Sequence, residues 1–117
     1  MENHCTTVDQ VFRLMALGLD PTTCDMSYEM NNDREYIIKY GQDKAITNNL
    51  FSFRFNYTLP CWSVGRLISL MPIVTIHSTT KKEYILHCLG NYTAWKSDLT
   101  EVCFDMMCVL LKKKMIQ

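Results

Sequence analysis

A chain of 117 residues, 48% hydrophobic and 21% charged, carries enough apolar material to bury a core without disulfide or metal staples, and its length predicts one domain over 1–117. Its 12 basic and 12 acidic residues cancel, which argues against a protein that mainly coats nucleic acid or an anionic membrane, because such proteins need a basic excess. The longest apolar run, Leu67 to Ile76, is broken by Ser69, Pro72 and Thr75, so no membrane span is expected.

The opening Met1-Glu2-Asn3-His4-Cys5 lacks the basic and apolar regions of a signal peptide, so a cytoplasmic location is expected. In that compartment Cys5, Cys24, Cys61, Cys88, Cys103 and Cys108 read as thiols, most of them buried as small hydrophobes. No C-x-x-C pair signals a zinc knuckle or a thioredoxin-type site. The sequons Asn56-Tyr57-Thr58 and Asn91-Tyr92-Thr93 then read as ordinary strand residues.

Thr7 to Gly18 predicts a helix. Thr7 and Gln10 match a capping box, and Val8, Val11, Phe12, Met15 and Leu19 lie on one face. Gly18 suits a left-handed C-terminal position, with Leu19 folding back on Leu14. Asp20-Pro21 predicts a short second helix to about Tyr28, followed by a turn at Asn31-Asn32-Asp33.

Glu35 to Tyr40 predicts a strand, and Gln42 to Asn49 a polar connection. Phe51, Phe53, Phe55 and Tyr57 then alternate strictly with Ser52, Arg54, Asn56 and Thr58, which predicts a half-buried strand. Ser63 caps a helix buried through Val64, Leu67, Ile68 and Met71 and stopped by Pro72. Strands follow at Ile73 to His77 and Glu83 to Leu89, with Tyr92 to Trp95 continuing beyond a kink at Gly90. Ser97-Asp98 starts a last helix from Leu99 to Lys114.

The order α-(α)-β-β-α-β-β-α predicts an α+β fold: one antiparallel sheet of about four strands with helices packed on one face. A weak echo, Asn-Tyr-Thr then Trp then a serine opening a helix, occurs at 56–63 and 91–97 and reads as two similar strand-to-helix exits.

The last helix is the main pointer to a partner. Leu99, Val102, Cys103, Met106, Val109 and Leu110 form one apolar stripe. Phe104, Met107, Cys108 and Leu111 form a second arc, so the helix is buried on two sides. The second cover is either another part of this chain or another protein, in the first instance a second copy. Trp62 and Trp95 are candidate interface anchors.

Chemical signals are sparse. There is no phosphate-binding glycine loop, H-E-x-x-H or G-x-S-x-G, and no catalytic residue or cofactor is assigned. His87 and Cys88 are adjacent in a strand and point to opposite faces, so they cannot form a nucleophilic pair. If the flanking strands form a hairpin, His77 approaches His87, and with Cys61 nearby a metal site is conceivable. Lys39 and Arg54 on polar strand faces, with Lys81 and Lys82 on a turn, are candidate phosphate contacts for weak nucleic-acid binding.

The segment Pro60-Cys61-Trp62-Ser63-Val64-Gly65-Arg66-Leu67-Ile68-Ser69-Leu70-Met71-Pro72 resembles a P-x-W-S-x-x-x-L-[LI]-x-L-[LM]-P stretch found in small uncharacterised proteins of gut-bacterial prophages and mobile elements. Gly65 and Arg66 depart from its more apolar form. The resemblance covers about 13 residues. It implies a bacterial cytoplasm and a phage-accessory context, and it transfers no site residue. The resulting expectation is a non-enzymatic accessory or interaction protein that self-associates through its C-terminal helix. Nucleic-acid binding, and a small enzyme or metal site near His77 and His87, are the alternatives.

Overall fold

A computed structural model describes residues 4–40 and 58–116, with residues 39 and 40 described by their backbone alone. Helix α1 spans Val8–Ala16 and begins as its sequence requires. The Thr7 hydroxyl accepts the Gln10 backbone N–H at 3.2 Å, and the Gln10 side-chain oxygen accepts the Thr7 N–H at 2.9 Å. At its end Gly18 takes a φ of 98°, and the Leu19 N–H reaches the Leu14 carbonyl at 3.0 Å. Leu14 and Leu19 are both buried, completing a Schellman motif.

The expected helix from Pro21 to Tyr28 is not formed. Asp20 caps a single 3-10 turn, Pro21–Thr23, and the chain then enters strand β1, Met26–Met30. The alternation Met26, Ser27, Tyr28, Glu29 has the period of a strand, and that signal outweighs the helix-starting Asp-Pro pair. Strand β2, Tyr36–Tyr40, returns antiparallel to β1, and strand β3, Thr58–Cys61, pairs with the other side of β1. The first sheet therefore has the order β2-β1-β3. The Phe51, Phe53, Phe55 and Tyr57 alternation, the polar connection before it and Arg54 lie outside the described residues.

Helix α2, Val64–Leu70, follows with Ser63 as its cap, and Pro72 stands just beyond its end. Strands β4, Val74–Ser78, and β5, Tyr84–Cys88, then form a hairpin. The expected continuation from Gly90 to Trp95 is instead a reversal. Leu89 and Gly90 have φ of 51° and 81°, the two left-handed residues of a type I′ turn, and strand β6, Asn91–Tyr92, folds back on β5. The second sheet has the order β4-β5-β6.

The α+β class expected from the sequence is observed, but the single sheet of about four strands is corrected to two three-stranded antiparallel sheets. Strand β1 inserts between β2 and β3 and uses the pairing edges those strands would have offered to β4 and β5.

Helix α3, Leu99–Lys112, is capped by Asp98, whose carboxylate accepts the Thr100 N–H at 2.9 Å. It ends two residues before the expected Lys114. It packs against α1, α2, β5 and β6, while α1 also packs on β3. The buried side chains form one cluster that draws on α1, both sheets, α2 and α3.

Candidate interaction surface

Placement of the second arc of α3 is decided by its central position. Met107 is fully buried, Cys108 and Leu111 retain 9% and 7% exposure, and Phe104 is half-buried. Arg13 of α1 stands beside the Cys108 thiol and partly offsets the rise in its pKa that burial causes. The chain thus supplies its own cover for this arc, and Phe104 is the one member of the four that keeps substantial exposure. Of the two tryptophans, Trp62 is fully buried and Trp95 is 46% exposed.

The segment around Trp62 is a structural hub. The indole N–H of Trp62 donates to the Thr23 hydroxyl at 3.0 Å, and its backbone N–H donates to the Thr6 hydroxyl at 3.1 Å. Asp25 accepts the Ser63 backbone N–H at 2.9 Å and the Ser63 hydroxyl at 2.5 Å. The same Ser63 oxygen accepts the Arg66 N–H that opens α2, while the Arg66 side chain donates to the Thr23 carbonyl at 2.6 Å. The Trp-Ser pair therefore welds the 3-10 turn to the start of α2. Residues 62–66 thus hold the architecture together.

Cys61 belongs to the same hub and not to the histidines. Its thiol donates to the Thr6 carbonyl at 3.4 Å, alongside the Tyr28 hydroxyl at 2.6 Å. Burial pushes Cys61 up to about 12 and Cys103 up to about 11, and it also raises Cys88 and Tyr28. All six cysteines are buried, and none is in a disulfide. Raised values keep a thiol protonated, which suppresses both nucleophilicity and metal binding.

A different surface is left uncovered. Along β5, Leu86 and Cys88 face the core, where α3 packs, while Ile85 and His87 face outward. On β4, Thr75 and His77 share that outer face, and β6 adds Tyr92. The rings of His77 and His87 lie 5.1 Å apart, and those of His87 and Tyr92 lie 4.3 Å apart, both edge to face. The expected approach of His77 to His87 is therefore present, without Cys61. Among the described residues no three His, Cys, Asp or Glu side chains share a position where a metal ion could sit.

The rim of this face is apolar and strained. Ile73 is 86% exposed at a φ of 38°, a conformation that a β-branched residue avoids. Leu89 is exposed at a φ of 51°, Tyr92 is 66% exposed, and Trp95 lies beside the Tyr84–Lys96 bridge. Of the seven exposed large hydrophobic residues among those described, these four belong to the second sheet and its exits. Sequence reasoning misses Ile73, Leu89 and Tyr92. The one signal for them is the two-residue Leu89-Gly90 loop, which turns Tyr92 onto the outer face opposite His87.

The remaining candidates are dispersed. Lys81 and Lys82 are exposed on the β4–β5 turn, Lys39 lies on β2 of the other sheet, and Arg54 lies outside the described residues. Asn91, the first residue of a sequon, is buried. Its amide donates to the Cys88 carbonyl at 3.1 Å, and its oxygen accepts Lys113 at 2.6 Å. None of the helices among the described residues is long and apolar enough to cross a membrane. No protein-family model, curated protein or solved structure matches this chain.

Proposed function

We propose that this chain is a non-enzymatic interaction protein that self-associates, with the outer face and free edge of the second sheet as its contact surface. The observation that carries the reading is that four of the seven exposed large hydrophobic residues among those described, Ile73, Leu89, Tyr92 and Trp95, lie on the second sheet and its exits. Two of these four hold left-handed backbone at non-glycine residues. Strain of this kind, at about 1–3 kcal/mol each, persists where surrounding structure and function maintain it.

The edge geometry favours a second copy. Among the described residues strand β4 has one neighbour, β5, and its five residues Val-Thr-Ile-His-Ser contain neither charge nor proline. Natural edges are normally guarded by one of these. Two β4 edges meeting antiparallel about a two-fold axis would extend the sheet, whereas Tyr92 and Trp95, on the β6 side, lie away from that seam and are covered only by a contact through the outer face. The resemblance of residues 60–72 to mobile-element proteins supports an accessory role of this type.

Light scattering across a concentration series tests the reading. The wild type should pass from monomer to dimer in the micromolar range, and Ile73→Lys and Tyr92→Lys should each shift it toward monomer. Both positions are exposed, so the fold survives the changes. A wild type that stays monomeric at high micromolar concentration would sink the proposal. The second reading, weak nucleic-acid binding, is supported by the exposed Lys81 and Lys82 and is tested by gel shift at low salt.

A further inference from the structure

We infer that His77 and His87 form a two-histidine site for a borderline divalent transition-metal ion, of which Zn2+ is the probe. The two residues occupy diagonal positions across the β4–β5 pair, since His77 is opposite Ile85 and His87 is opposite Thr75. Both side chains project from the same outer face.

Their spacing suits chelation. A zinc–imidazole bond of about 2.0–2.1 Å, added to roughly 1.1 Å from ring centre to nitrogen, sets the ion about 3.2 Å from each ring centre. Ring centres 5.1 Å apart then subtend roughly 106° at the ion, close to the tetrahedral angle. Two imidazoles sharing one tetrahedral ion stand at about the separation observed here.

The site is also organised in advance. Both ligands sit on a paired hairpin, and the Tyr92 ring, 4.3 Å from His87, restricts that imidazole. The His87 imidazole therefore has little side-chain freedom to lose on binding, which favours chelation. His77 is exposed, so water completes the coordination shell. Imidazole donors select zinc, copper or nickel over magnesium and calcium. Cys61 and Cys103, whose protons burial holds, do not compete for the ion at neutral pH. With two protein ligands the affinity is micromolar, well below that of a structural four-ligand site.

The experiment is calorimetric titration of the folded full chain with Zn2+, for the wild type, His77→Ala and His87→Ala, with circular dichroism as the check on folding. One ion per wild-type chain and a tenfold or greater loss in each variant are expected. Because His77 is exposed, His77→Ala keeps the fold and carries the test even if His87→Ala does not. Substitution with Co2+ separates the donors: nitrogen and oxygen ligands give only weak visible bands, whereas thiolate gives an intense near-ultraviolet charge-transfer band. No binding by the wild type, unchanged affinity in His77→Ala, or a thiolate band would each overturn the inference. The result does not depend on self-association, because the site lies within one chain.

Discussion

The two sheets of this protein are built alike and treated differently. Each has three antiparallel strands, and each contains a hairpin whose penultimate loop residue is left-handed, Arg34 in the first and Lys82 in the second. The hydrogen bonds also correspond: Asn31 to Glu35 and Arg34 to Asn31 in one, Thr79 to Glu83 and Lys82 to Thr79 in the other. In the first sheet Met26, Ser27 and Tyr28 are buried in succession, as are Leu59, Pro60 and Cys61, so both faces are covered there. Its edges carry Pro60 on β3 and Lys39 on β2. The second sheet is buried on one face, and its β4 edge carries neither guard. Both sheets feed the core, but among the described residues the second does so through one face only.

The two tryptophans offer the largest way to break this contrast. Trp62→Ala removes a fully buried ring and its bond to Thr23, and should cost about 3–5 kcal/mol in denaturant unfolding. Trp95→Ala should stay within about 1 kcal/mol while weakening self-association. Equal losses at the two sites would mean that the second sheet is as much a part of the core as the first.

Alkaline titration probes the thiols beneath both sheets. Cys61 and Cys103 are raised from 9.0 to about 12 and about 11. Below pH 9 both folded and unfolded chains hold these protons, so the contribution to stability is complete. Between pH 9 and the folded values only the unfolded chain ionises, so stability falls as pH rises. At about 1.4 kcal/mol per unit, Cys103 accounts for up to roughly 3 kcal/mol. Urea midpoints between pH 8 and 11 should show this decline, and Cys103→Ala should flatten it.

Asp25→Ala tests how the first sheet is tied to α2. It leaves the Ser63 backbone N–H and hydroxyl without their carboxylate, and should destabilise by about 1–3 kcal/mol. Thermal unfolding measures it directly.

The smallest expected effect has the opposite sign. Ile73→Gly and Leu89→Asn relieve left-handed strain at exposed positions and should each stabilise by about 0.5–1 kcal/mol. Both should weaken dimer formation in sedimentation experiments. Stabilisation with unchanged association would show that the strained rim has no part in the contact.

Features encoded within a few residues are legible in the sequence. The Thr7–Gln10 box, the Gly18–Leu19 reversal, the Ser63 cap and the Asp98 cap each involve partners at most five positions apart, and each is formed. The strand period at Met26–Met30 is equally local but is masked by the stronger-looking Asp20-Pro21 start. The repeated Trp-then-serine pattern leads to unlike ends: Trp62 is buried and Trp95 exposed, and Asp98 caps α3 where Ser63 caps α2. Local resemblance carries no information about what packs on top.

By itself, the sequence determined the N-terminal caps of the three described helices and the strands β2, β4 and β5. Tertiary structure alone decided that β1 would separate the strands into two sheets, and that α1, through Arg13, would meet the second arc of α3. It also set His77, His87 and Tyr92 side by side on the face left open. The physical reason is range. A cap or turn is satisfied by neighbours along the chain, whereas strand partners and the cover over an apolar face come from residues tens of positions away.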